Sequence, residues 1–162
     1  MWVTSRRQAG PSGAAFLLAQ LGAHAAERFA QRVKELGLTP PDVGLLRMIA
    51  SQPGRSQRSI ATDLGVVPSR VVALVDNLER KELVERRPSA TDRRHHALHL
   101  TTAGEQVLMR MRSIATAHED DLCAALSTDE RSQLASLLQR IADQQGLVPH
   151  VHPGYRNLST PR

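Results

Sequence analysis

The stretch QRSIATDLGVVPSRVVALVDNLERKELVERR, residues 57–87, decides the fold. It reads as two short helices joined by a turn, followed by the start of a strand. Ser56 is placed to cap the first helix, which reaches Leu64, and Gly65 breaks it. Pro68 or Ser69 opens the second, which runs to about Lys81. Two such helices cross steeply only if three positions cooperate. A small residue is needed where they touch, a residue tolerant of positive φ in the turn, and a compact apolar side chain facing inward on the second helix. Ala61, Gly65 and Val71 stand at those positions, and Ile60, Leu64, Val66 and Leu74 fill the core between them. Ser69, Arg70, Ala73 and Asn77 are left to point outward. This is the pattern of a helix-turn-helix, whose second helix matches the width of a DNA major groove.

Downstream, the apolar period changes to two. Leu83 to Arg87 and Ala97 to Leu100 read as paired strands around the polar stretch Pro88 to His96, a hairpin with a basic tip. Thr102-Ala103-Gly104-Glu105 reads as a capping box opening a long helix, and Ser127-Thr128-Asp129-Glu130 as a second box opening the last one, with Leu134, Leu137, Leu138 and Ile141 at helical spacing. Upstream, Leu17, Leu21, Ala25, Phe29 and Val33 recur on one face of a helix from Ala14 to about Leu36. Thr39-Pro40-Pro41-Asp42 then starts a helix that turns Val43, Leu46, Met48 and Ile49 inward. The fold expected is mainly α with a small β-hairpin wing. Residues 1–13 form a loose arm, 14–146 a single domain and 147–162 an irregular tail. Within the domain, 39–101 is the winged helix-turn-helix, while 14–36 and 102–146 are dimerisation helices.

Charge supports a polyanion partner through its distribution more than its sum. The 162 residues carry a formal charge of +5. Residues 55–96 hold nine Arg and Lys against six Asp and Glu, whereas 97–146 hold four against seven. That split fits one face meeting phosphate and another meeting protein. The single cysteine, Cys123, excludes an internal disulfide framework and reads as a buried packing residue. No apolar run approaches the roughly 20 residues a membrane helix needs. Gln20 and the amphipathic continuation after it argue against a signal peptide, so a cytoplasmic protein is expected. His95, His96 and His99, like His150 and His152, make no recognisable four-ligand zinc set, and no metal or cofactor is expected. No phosphate-cradling glycine loop, nucleophile elbow or paired acid and base appears, so the chain is not read as an enzyme.

The expected contacts follow from the motif. Arg70 suits a bidentate bond to guanine, with Ser69, Ala73 and Asn77 beside it on the reading face. Arg55, Gln57 and Arg58 sit where the supporting helix crosses the phosphate backbone. Arg86, Arg87, Arg93 and Arg94 bring positive charge to a wing narrow enough for the minor groove. His95 and His96 add donors near phosphate. Asp92, two residues from Arg94, is placed to orient that guanidinium by a charge-assisted bond.

Asp92-Arg93-Arg94, then five residues, then Leu100-Thr101 resembles the Asp-x-Arg-x5-Leu-Thr signature of the MarR (multiple antibiotic resistance regulator) family. Leu78 to Arg86 and Thr101 to Gly104 are similar to that family too. Glu82 departs from it, standing where members commonly have glycine. The resemblance spans about residues 14–146 and is sharpest from Gln57 to Gly104. It implies a homodimer on a palindromic DNA operator, with recognition helices in successive major grooves and Arg94 in the minor groove, oriented by Asp92. It further implies repression relieved by a small phenolic or aromatic effector held between the dimerisation helices and the DNA-binding lobe. Phe16, Gln20, His24, Phe29, Arg47, Met48, Met109 and Met111 are the candidates to line that pocket. Alternatives are a thiol- or metal-responsive regulator of the same fold, or a winged-helix interaction module that binds no DNA. Family members that sense peroxide carry a cysteine near the start of the first helix, where this sequence has none.

Overall fold

A computed structural model describes residues 13–88, 96–149 and 151. The chain runs α1 (Ala14–Lys34), α2 (Pro40–Ser51), α3 (Gln57–Leu64), α4 (Pro68–Arg80), β1 (Val84–Pro88), β2 (His96–Leu100), α5 (Thr102–Leu122) and α6 (Thr128–Gln144). Elements and order agree with the sequence reading, and the ends differ by a residue or two.

The start signals act as polar caps. Thr39 and Asp42 form a reciprocal box on α2, with the Asp42 amide donating to Thr39 Oγ1 at 3.4 Å and the Thr39 amide to Asp42 Oδ2 at 3.0 Å. Ser56 accepts from the Ser59 amide at the head of α3. Gly65 closes α3 in the left-handed region at φ 64°. Ser127 and Glu130 make the second box, at α6. The box expected at Thr102 moves back one residue. Thr101 is the cap of α5, its Oγ1 accepting from the Gly104 amide at 3.0 Å and donating to the Glu82 carbonyl at 2.6 Å.

The core lies where α2, α3, α4, the hairpin and the inner faces of α1 and α5 meet. Leu45, Leu46, Ile49, Ile60, Leu64, Val71, Val75, Leu78 and Leu98 are sealed from solvent, and Ala61 sits among them at the α3–α4 crossing. Met48, Val66 and Leu74 pack against this cluster half-buried. β1 and β2 pair antiparallel with Val84 opposite Leu100 and Arg86 opposite Leu98. The α2–α3 loop is sewn to the same strand, the Gly54 amide donating to the Leu98 carbonyl and the Leu98 amide to the Arg55 carbonyl, both at 2.9 Å.

Two backbone positions fix the hairpin's joints. Glu82 enters it at φ 58°, a left-handed conformation that explains why glycine suits this position. Gly104 leaves it for α5, and a Cβ there would overlap the Leu83 carbonyl oxygen.

The ends of the molecule are different in character. Of α1, only Val33 is fully buried; of α6, no residue is. Leu17 and Leu21, read as inward-facing, stand exposed in the protomer, as do Leu134, Leu137, Leu138 and Ile141. Cys123 is half-buried just past the end of α5, rather than packed inside it, and its thiol donates to Glu119 Oε1 at 3.6 Å. Burial, then the Glu119 charge, pushes the thiol pKa up, away from thiolate reactivity.

Candidate nucleic-acid interface

α4 is amphipathic for a reason visible in its spacing. Val71, Val75 and Leu78 take the inner face, and Ser69, Val72, Ala73 and Asp76 are left outside. Val72 is 39 % exposed, a β-branched apolar group on the outer face of the helix. Arg70 lies half-buried in the first turn, and Arg58 stands exposed in the first turn of α3. Arg58 on α3 and Ser69 and Ala73 on α4 therefore lie on open surface.

Four other predicted contact residues are used inside the protein. Arg86 is the hub of the wing joint. Its guanidinium pairs with Asp76 at 2.6 Å and with Glu79, and its amide donates to Glu79 Oε1 at 3.2 Å. The Gln57 amide oxygen accepts from Arg86 Nε at 2.7 Å, so one cation ties β1 to both α3 and α4. Arg55 pairs with Asp63 and donates to Ser59 Oγ at 2.8 Å, clasping the α2–α3 loop to α3. Asn77, read as outward, turns in and donates to Asp42 Oδ1 at 3.1 Å. The Asp42 carboxylate is sealed from solvent and also receives Lys81 Nζ at 3.0 Å, while that ammonium reaches the Gly37 carbonyl at 2.7 Å. A buried carboxylate is tolerable only with such partners. Here they lock the start of α2 to the end of α4.

On the wing, β1 and β2 present Arg87 and His96 on exposed backbone, with Arg87 paired to Glu85. Asp92, Arg93, Arg94 and His95 lie outside the described residues.

Elsewhere on the protomer, α1, α2 and α5 line a cleft of about 560 Å³. Phe29, Val43, Ala50, Leu108, Met111 and Ala115 make its apolar walls, and Arg47, Ser51, Arg112 and Thr116 its polar ones. Neither Arg47 nor Arg112 has a side-chain hydrogen bond or ion pair among the described residues. Two such guanidiniums over an apolar floor suit a molecule with an apolar body and an anionic group. Of the eight pocket candidates read from the sequence, Phe29, Arg47 and Met111 line this cleft. Met109 lines a neighbouring one, Met48 packs in the core, and Phe16, Gln20 and His24 stand exposed along α1. Sequence reasoning missed Arg112.

His118, behind Phe29, sits with its ring centroid 5.6 Å from the phenyl centroid and its Nδ1 buried without a hydrogen-bond partner. Its pKa is lowered by burial first, then by Arg32 and Arg28, which pair with Asp121 across α1 and α5. Among the described residues no group of three or more His, Cys, Asp and Glu side chains is placed to hold a metal, and no helix is long and apolar enough to cross a membrane.

The MarR family model matches residues 36–95. A regulator from Thauera aromatica, described as a putative transcriptional regulatory protein for the hcr operon, is 40 % identical over 113 residues, covering 70 % of this chain and 68 % of that protein. The transcriptional repressor CouR, solved bound to a 23-mer DNA duplex, is 37 % identical with a TM-score of 0.71, covering 80 % of this chain and 92 % of that one. A mutant of S. aureus MepR, bound to an oligodeoxyribonucleotide, is 26 % identical with a TM-score of 0.61, over 83 % and 99 % of the two chains. Sequence and architecture agree across most of both partners in these pairs, and the chain belongs to the MarR family of winged helix-turn-helix, DNA-binding transcriptional regulators.

Proposed function

We propose that the chain is a homodimeric repressor of the cytoplasm, without catalytic activity, that reads a palindromic operator and releases it when a small effector fills the cleft behind α2. The winged helix-turn-helix at 39–101 is the reading head; residues 14–36 and 102–146 are the frame that pairs two heads. The observation that carries this reading is the amphipathic split of α3 and α4, which leaves Arg58, Ser69 and Ala73 exposed while Ile60, Ala61, Val71 and Val75 are sealed inside. The CouR complex supports duplex DNA as the partner. In this reading Arg70 contacts a base edge, Ser69 and Arg58 contact phosphate or base, Ala73 packs on a base, and Arg93, Arg94 and His95 reach the minor groove with Asp92 orienting Arg94. Arg55, Gln57, Asn77 and Arg86 hold the reading head in shape and act on DNA through that framework.

The effector class follows from the cleft: an aromatic or other apolar body of one or two rings carrying one anionic group, set between Arg47 and Arg112. Its binding acts on α2, which the Asp42 lock couples to α4, so the spacing of two recognition helices changes and affinity for fixed half-sites falls.

A salt titration of binding to random and selected duplexes tests the DNA reading. Phosphate contacts predict a steep linear fall of log affinity with log salt. Absence of binding to any duplex at low salt would favour an interaction module instead.

A further inference from the structure

After Pro68, the exposed residues of α4 are Ser69, Val72, Ala73, Asp76 and Arg80. Their spacing of three or four puts them in one stripe from the first turn of the helix to the last. The polar members at the far end are already engaged. Asp76 pairs with Arg86 at 2.6 Å, and Arg80 donates to Asn77 Oδ1 at 3.4 Å. Between them and Ser69, the second turn shows this face no hydrogen-bonding side chain. It shows Val72, the one large apolar side chain of α4 that is exposed, with the Ala73 methyl beside it.

We propose that Val72 is a specificity-determining residue that reads the C5-methyl group of a pyrimidine. Each half-site then prefers thymine at the base pair facing the second turn of α4, and 5-methylcytosine over cytosine when that pair is changed. The inference deepens the DNA reading above and rests on α4 entering the major groove. There the edges of guanine, adenine and cytosine are donors and acceptors, and the thymine methyl is the apolar group among the four bases. A side chain with neither donor nor acceptor leaves a purine edge or a cytosine amine beneath it desolvated and unpaired, whereas over thymine it covers a methyl.

Two features of the face suit it to this contact. A helical valine has one strongly preferred χ1, so the contact orders little that is not already ordered. The Arg86 ion pair offsets the charge of Asp76, one turn further on, which would otherwise repel phosphate beside the apolar patch. Methylation of a cytosine at the base pair under Val72 therefore strengthens binding, a modification that a purely polar reader of that pair would not register.

The test uses the full chain and a duplex it selects from a random pool. Each thymine of the half-site is replaced in turn by deoxyuridine, in both half-sites together, and affinity is read by fluorescence anisotropy. One position is expected to lose about fourfold per half-site, the effect of uncovering a single methyl. At that position, thymine, uracil, cytosine and 5-methylcytosine duplexes are compared with the parent protein and with Val72→Ala. The methyl should help by the same factor on both backgrounds, thymine over uracil and 5-methylcytosine over cytosine. Val72→Ala should abolish most of that factor while binding the uracil duplex as the parent does, which also shows that the variant is folded. Duplex binding with no difference between thymine and uracil at any position would overturn the proposal and leave the DNA reading standing; no binding to any duplex would sink both. A methyl preference that survives intact in Val72→Ala would assign the contact to another residue. An equal loss on thymine and uracil duplexes would make Val72 a general contact that reads no methyl.

Discussion

At the scale of single residues, the strongest constraints are places where the chain touches itself. Gly104 passes so close to the Leu83 carbonyl that any Cβ overlaps a backbone oxygen, which also receives the Thr101 amide at 3.1 Å. Backbone held from both sides does not yield as a flexible side chain would. Gly104→Ala is therefore expected to destabilise the fold by about 3 kcal/mol, seen as a lower urea midpoint at unchanged slope. His118 sets a different constraint, on pH. Its folded pKa lies below the ordinary 6.5 because burial, Arg32 and Arg28 all disfavour the imidazolium, against weaker support from Glu119 and Asp121. The unfolded chain therefore takes up the proton first as pH falls. This contribution to stability is whole above the unfolded value and is lost progressively below it, through the folded pKa. Thermal melts across pH 5–7.5 should show midpoints falling toward acid, and His118→Phe, which keeps the contact with Phe29, should flatten the lower part of that curve. An identical slope in both proteins would assign the acid sensitivity elsewhere.

Among elements, the question is how a wing and a recognition helix become one tool. The Arg86 hub answers it physically. A single guanidinium, 20 % exposed, satisfies Asp76 and Glu79 on α4 and Gln57 on α3 while its own backbone belongs to β1. Three arginine substitutions then separate three roles. Arg94→Ala should weaken duplex binding about equally on all sequences and reduce the salt slope by about one charge, while Arg70→Ala should also relax the preference at one base pair of each half-site, by about 1–3 kcal/mol. Arg86→Ala should lower stability and blur both properties together, since it frees the wing from the helix. Anisotropy on matched and mismatched duplexes over a salt series distinguishes the three. The fold was legible because its elements are written in short-range signals: period three to four in the helices, period two in the strands, and caps at Ser56, Ser127 and Thr39. The internal partners of Arg86 were not foreseen although a signal existed. Arg86 shares a strand face with the buried Val84, so alternation turns it inward, and counting it with the wing's positive charge hid that. Asn77 had no such signal. It lies on the flank of α4, and its direction is decided by Asp42, 35 residues earlier, a partner no periodicity can see. The shift of the α5 cap from Thr102 to Thr101 has the same origin, because the Glu82 carbonyl chooses between two adjacent hydroxyls.

For the whole molecule, the apolar surface at its two ends requires an explanation in terms of a second chain. α6 is 17 residues long and buries none of them, and a lone helix of that length is marginal in water. Leu134, Leu137, Leu138 and Ile141 are nevertheless spaced as a core face, and Phe16, Leu17, Leu18 and Leu21 form a similar face on α1, with Phe16 60 % exposed. Two unpartnered faces at opposite ends of the sequence, joined to the reading head through α1 and α5, fit a symmetric pair in which each covers its counterpart. Leu137 and Ile141 lie one turn apart, so Leu137→Glu with Ile141→Glu buries two like charges in that contact and should leave a monomer of 17.8 kDa by sedimentation, with the helix-turn-helix still folded. DNA binding then loses the linkage between half-sites. A paired protein holds its second head at high effective concentration once the first has bound, so the monomeric variant should bind a palindrome about a hundredfold more weakly than the parent. A duplex carrying a single half-site provides the control, because there the two proteins should differ little. If the double variant still sediments as a dimer, the frame is built from other surfaces. If instead it is monomeric yet keeps full affinity for the palindrome, pairing contributes nothing to recognition, and a single head with its wing must account for all of it.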